Sequence, residues 1–192
     1  IWIAALDDND QLKVAAQTYR QSGNDFWPGP LDTDSTISSE TCLAYDQHYS
    51  LLRSEVLAHK YAFENDELDN YHTPEAILNW PGNYYNEPNK TLAPFEDLNQ
   101  NGIYEPEQGE YPAFDFNHSK NCRTDNILMG DQSIWWVMND VGNVHTESGS
   151  QTALGLEIHA QAFAMISDKA LNNTTFYQYR LINRSNKGLY EA

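Results

Sequence analysis

Asp97, Asn99 and Asn101 supply side-chain oxygens at alternate positions, and Gly102 follows at the sixth position, where a cation loop needs a sharp turn. Hard oxygen donors at this spacing suit calcium. Zinc wants nitrogen and sulfur, and magnesium a stricter octahedron. Ile103 would add its backbone carbonyl and anchor its side chain inward. The twelfth position is Gln108 where an EF-hand carries Glu, and no long helix is expected before the loop, so Glu107 or Glu110 would have to close the shell. The expected ligand set is therefore Asp97, Asn99, Asn101, Ile103 and Glu107 or Glu110 around one calcium, acting on stability rather than on catalysis. An Asx-rich turn without an ion is the plainer reading of the same residues.

Other chemistries find less support. Asp7, Asp8 and Asp10, and Asp32 with Asp34, read as ordinary turns. The six histidines show no pair at metal spacing, and neither a nucleophile elbow nor a phosphate-cradling glycine loop is present. Carboxylates are too abundant for an acid and a nucleophile to be singled out. Trp27, Trp80, Trp135 and Trp136 could stack on sugars, although Trp135 and Trp136, adjacent on one strand, must point to opposite faces. Cys42 and Cys122 are far apart and outside any Cys-x-x-Cys pair, which favours one disulfide and an oxidising compartment.

The elements that must hold these residues are mostly strands. A hairpin is expected from Ile1–Leu6 through Asp7–Asp10 to Leu12–Tyr19, and residues 21–40 read as loop around Phe26 and Trp27. Tyr45, Tyr49, Leu52 and Val56 recur at helical spacing, which predicts one amphipathic helix over Cys42–Phe63. Thr73-Pro74-Glu75 starts a short helix that Trp80-Pro81-Gly82 stops. Asn83–Pro112 reads as a long structured loop holding the ion site, pinned by Phe95, Ile103, Tyr104 and Tyr111. Strands are then expected at Ile134–Met138, Val144–Thr146, Leu154–Ile166 and Thr174–Asn183. The class is mainly β: one antiparallel sheet or sandwich over residues 1–192, with a helical and long-loop insert at 41–120.

At 192 residues, with 12% aromatic side chains, the chain can bury a core. Its 28 acidic against 11 basic residues give a formal charge of -17, a field that repels nucleic acid and anionic lipid and attracts cations. No stretch approaches the ~20 apolar residues of a membrane span. The chain opens within a strand, so any export signal is expected upstream.

Several blocks, in order, resemble one family. They are Lys13-Val14-Ala15-Ala16-Gln17-Thr18-Tyr19-Arg20, Asp25-Phe26-Trp27-Pro28-Gly29-Pro30-Leu31, Ala93-Pro94-Phe95-Glu96-Asp97 with the ion loop, Gly130-Asp131-Gln132-Ser133-Ile134-Trp135-Trp136-Val137-Met138-Asn139-Asp140, and Leu171-Asn172-Asn173-Thr174-Thr175-Phe176. The family comprises large exported proteins of Bacteroidota, many with a C-terminal sorting domain for type IX secretion. The resemblance implies a secreted or cell-surface location and a calcium-rich β architecture, but no activity. The expected function is a calcium-binding structural or adhesive domain, whose partners are calcium and extracellular polysaccharide or other surface proteins, including other copies. The alternative is a carbohydrate-binding or carbohydrate-active domain with an aromatic and carboxylate cleft.

Overall fold

Period-two alternation and turn chemistry build most of this fold. A computed structural model describes residues 1–17, 25–114, 128, 130–146, 151–168 and 170–192. The strands are β1 (Trp2–Leu6), β2 (Leu12–Ala16), β3 (Trp27–Pro28), β4 (Tyr49–Leu52), β5 (Asn83–Tyr84), β6 (Glu87–Thr91), β7 (Phe95–Glu96), β8 (Tyr111–Pro112), β9 (Gln132–Asn139), β10 (Leu156–Ala164) and β11 (Thr175–Asn183). The α-helices are α1 (Ser39–Ala44), α2 (Arg53–Glu64) and α3 (Glu75–Leu78). The architecture is mainly β, as expected. Its largest sheet has the order β11-β10-β9-β3, with β4 also paired to β9.

The burial of the two central strands does not follow their sequence patterns. In β9, Ser133, Trp135, Val137 and Asn139 are buried, while Ile134, Trp136 and Met138 between them are half-buried. In β10 every residue from Leu156 to Phe163 is buried, so Glu157, His159 and Gln161 lie inside the protein and require partners. Asp131 N–H donates to the Ala164 carbonyl and Asp140 N–H to that of Leu156, so β9 and β10 run in opposite directions.

The chain divides into two compact units. The first comprises residues 1–48, 136–160 and 178–192. Its β1–β2 hairpin pairs Trp2 with Ala16 and Leu6 with Leu12. The turn closes because the Asp7 carboxylate accepts the N–H groups of Asn9 at 2.9 Å and Gln11 at 3.1 Å. Ala5, Ala15, Leu154, Leu156 and Ile158 form the core, with Ile3, Phe26, Met138 and Leu189 packed against it.

The second unit comprises residues 49–135 and 161–177. Trp80 and Trp135 are buried with ring centroids 5.9 Å apart, and Tyr49 packs against both. Leu51, Val56 and Ile77 are among the fully buried side chains of the same unit. Most of the expected insert, 41–120, falls in this unit, and its first residues in the other.

Four local expectations change. Asn83–Pro112, read as a long loop, carries the short antiparallel pairs β5–β6 and β7–β8. The helix over Cys42–Phe63 is instead α1, then β4, then α2, because Tyr49–Leu52 pairs antiparallel with Gln132–Trp135. Val144–Thr146 is not a strand: His145 is drawn in by the carbonyls of Val14 at 2.8 Å and Asp140 at 2.6 Å, and Thr146 N–H is held by Asp25. The 21–40 segment includes β3 and the start of α1, where the Ser38 hydroxyl caps Thr41 N–H at 3.0 Å. Cys42 is buried, and burial, then the charge of Asp46, pushes its thiol pKa up. Its expected partner, Cys122, lies outside the described residues.

Candidate metal centre

The loop from Asp97 to Glu110 is framed by β7 and β8, which pair Phe95 with Pro112 and Glu96 with Tyr111. Between them the backbone turns left-handed at Gln100 (φ 62°) and Gly102 (φ 77°). Asp97 drives the turn, accepting Asn101 N–H at 3.2 Å and Gly102 N–H at 2.8 Å. Asn99 accepts Asn101 N–H at 3.0 Å and Asn101 accepts Ile103 N–H at 2.7 Å, so each side-chain oxygen folds over the next residues. These are Asx turns, and they close on the chain's own donors.

Two residues from outside the alternating set complete the loop. Glu105 accepts the carboxamide N–H groups of Asn99 at 3.0 Å, Asn101 at 2.6 Å and Gln108 at 2.6 Å. It was not among the expected ligands, although it holds the ninth position counted from Asp97, where calcium loops often place an oxygen. Asn83 donates to the Gly102 carbonyl at 2.7 Å and accepts Tyr104 N–H at 2.7 Å. No local pattern points to Asn83, fourteen residues upstream, since only the chain's return brings it there.

Glu110 is fully buried and accepts Leu98 N–H at 3.1 Å and Glu105 N–H at 2.8 Å, tying the two ends of the loop together. Burial raises its pKa; those N–H groups oppose the shift and the charge of Asp97 adds to it. Glu107 is exposed on the turn Pro106–Gln108, so Glu105 is the glutamate that meets Asn99 and Asn101. Ile103 is half-buried beside Tyr104, whose hydroxyl donates to the Ile77 carbonyl at 2.8 Å. Burial first, then the charges of Glu110 and Glu107, holds the Tyr104 phenol far above its usual pKa.

The donor chemistry fits a hard cation. Asp97, Asn99 and Asn101 each keep a lone pair after accepting their backbone N–H, and Glu105 adds a second carboxylate. Among the described residues, no three His, Cys, Asp or Glu side chains gather as a metal-holding group. A cation here would draw on the Asp97 and Glu105 carboxylates together with carboxamide and backbone oxygens, a donor set that suits calcium more than a transition metal.

The weaker acidic candidates behave as turns. Asp32 accepts Asp34 N–H at 3.2 Å and Thr36 N–H at 2.9 Å. Of the four candidate sugar-stacking tryptophans, Trp80 and Trp135 are core, while Trp27 and Trp136 are half-buried. Among the described residues no helix is long and apolar enough to cross a membrane. No protein-family model matches the chain, and neither does a curated protein or a solved structure.

Proposed function

We propose that this chain is a calcium-stabilised structural or adhesive β domain of a secreted or cell-surface protein, like the exported Bacteroidota proteins it resembles. The observation that carries the reading is the meeting of Asp97, Asn99, Asn101 and Glu105 on one left-handed turn, with Glu110 clamping both ends. The two carboxylates of Asp97 and Glu105 gather negative charge and the two carboxamides add lone pairs, and a cation offsets both.

With two carboxylates in the set, affinity belongs in the range of extracellular modules, on the order of 0.1–1 mM. An ion held by the folded state alone adds RT ln(1 + [L]/Kd), about 1.4 kcal/mol when free calcium is ten times Kd. Calorimetric titration with calcium, paired with thermal melts in calcium and in chelator, tests this. Calcium should bind the parent chain and raise its Tm, and neither effect should persist in Asp97→Ala or Glu105→Gln. No bound calcium, together with an Asp97→Ala chain that keeps the parent's response, would leave only a turn.

A further inference from the structure

The half-buried face of β9 opens onto a cleft of about 450 Å³ within the first unit. Phe26, Trp27, Trp136 and Met138 form its half-buried wall, and Asp46 and Gln47 stand exposed at its margin. The wall is built rather than incidental. Asn139 donates to the Gly29 carbonyl at 2.9 Å and fixes the path of β3. Trp27 lies so close to Gly142 that a Cβ there would fall 2.7 Å from its own Cβ, so only bare backbone lets the indole seat. The Trp136 ring is braced edge-on by His48 at 5.5 Å and by Tyr179 at 6.3 Å between centroids. Two indoles thus remain half-open while Trp80 and Trp135 are consumed by the core.

The chemistry of this cleft selects among ligands. Its volume is that of a small-molecule site. No lysine or arginine lines it, Asp46 does, and the chain carries -17, so an anionic ligand is disfavoured on charge. A purely apolar ligand would cover the Asp46 carboxylate without offering it a hydrogen-bond donor. A pyranose ring satisfies both parts: its C–H face, slightly positive, packs on the negative face of an indole, and its hydroxyls meet the polar margin. Because the cleft is open to solvent, it accepts a ring within a longer chain.

We propose that this cleft binds a neutral oligosaccharide, stacking a sugar ring on Trp136 and Trp27 and hydrogen-bonding its hydroxyls at Asp46 and Gln47. This site is independent of the calcium loop and would make the domain a polysaccharide anchor as well as a structural module.

Calorimetry of the full chain in calcium-containing buffer, with cellohexaose, xylohexaose, mannohexaose and N-acetylchitohexaose, tests the proposal beside hexagalacturonate and trimethyllysine. At least one neutral hexasaccharide should bind with a Kd at or below about 1 mM. Trp136→Ala should weaken it roughly tenfold or more, and Gln47→Ala and Asp46→Asn severalfold. Tyr85→Ala, at a ring that is 79% exposed and outside the cleft, should leave binding unchanged. If Trp136→Ala does not fold, the two exposed margin variants decide. The proposal is overturned if no neutral hexasaccharide binds, if only hexagalacturonate or trimethyllysine does, or if binding survives the margin variants intact.

Discussion

At the scale of single residues, the acids of this chain divide into two populations. Among the described residues many are exposed, but Asp25, Glu110, Asp140 and Glu157 are fully buried. Each is held by backbone N–H groups: Asp25 by Ala16 and Thr146, Glu110 by Leu98 and Glu105, and Glu157 by Leu31 with Arg184 alongside. Asp140 accepts three, from Leu154 at 2.5 Å, Gly155 at 3.0 Å and Leu156 at 2.7 Å. A carboxylate accepts on both oxygens, whereas the amide of Asp140→Asn would turn an NH2 toward one of these donors. That substitution should cost roughly 1–3 kcal/mol in urea denaturation, and a variant as stable as the parent would deny Asp140 this role. His59 is buried beside the Glu110 carbonyl at 3.2 Å, and burial lowers its pKa. Its neutral ring is the form that folds, while the unfolded chain takes up a proton near pH 6.5. Its contribution to stability is therefore present above pH 6.5 and is lost as pH falls toward the depressed folded value. An NMR titration should show the His59 ring neutral below pH 6.5, and a midpoint at or above that value would contradict this.

At the scale of elements, the break between α1 and α2 shows where pattern misleads. The spacing Tyr45, Tyr49, Leu52, Val56 satisfies a helix. The alternation of Tyr49 and Leu51 equally satisfies a strand, and hydrogen bonding to β9 decides between them. Leu51 is buried to 1% exposure and Leu52 is 45% exposed, the reverse of the helical face. Leu51→Ala should therefore cost about 2–5 kcal/mol and Leu52→Ala about 0.5 kcal/mol. Comparable losses in chemical denaturation would return the segment to helix. Two glycines of the Asp97–Glu110 loop make a second contrast. Gly102 and Gly109 both have positive φ, but a Cβ at Gly102 meets nothing within 4 Å while one at Gly109 falls 2.2 Å from the Phe63 ring. Gly102→Ala should cost about 1 kcal/mol, for conformation alone. Gly109→Ala should cost clearly more, because α2 or the loop must also shift. Equal Tm losses for the two would contradict that.

For the whole molecule, the charge of -17 sets the response to solution conditions. Self-repulsion of like charges opposes compaction, and salt screens it over a Debye length of ~10 Å at 0.1 M. In chelator, raising sodium chloride from about 10 to about 200 mM should raise the Tm. Calcium at about 2 mM should raise it further, although it barely changes ionic strength, because a loop ion acts through binding rather than screening. A Tm indifferent to salt would show that acids held by backbone N–H groups, such as Asp140 and Glu157, already absorb the repulsion.

The sequence alone determined the features that reside in neighbouring residues. Alternation marked β10, runs of aromatic and β-branched residues marked β9 and β11, aspartate and asparagine marked the first hairpin turn and the Asp97–Gly102 turn, and the doublet Trp135–Trp136 separated one core indole from one half-open one. These follow from strand pleat and from side chains bonding their own backbone, both within a few residues. Tertiary structure decided what depends on partners distant in the chain. It put Tyr49–Leu52 into a strand, kept Val144–Thr146 out of one, turned four carboxylates into backbone clamps, and brought Asn83 to the Asp97–Glu110 loop. In each case the physical reason is the same: a buried polar group must find a partner, and that partner is supplied by a segment whose position only the folded chain sets.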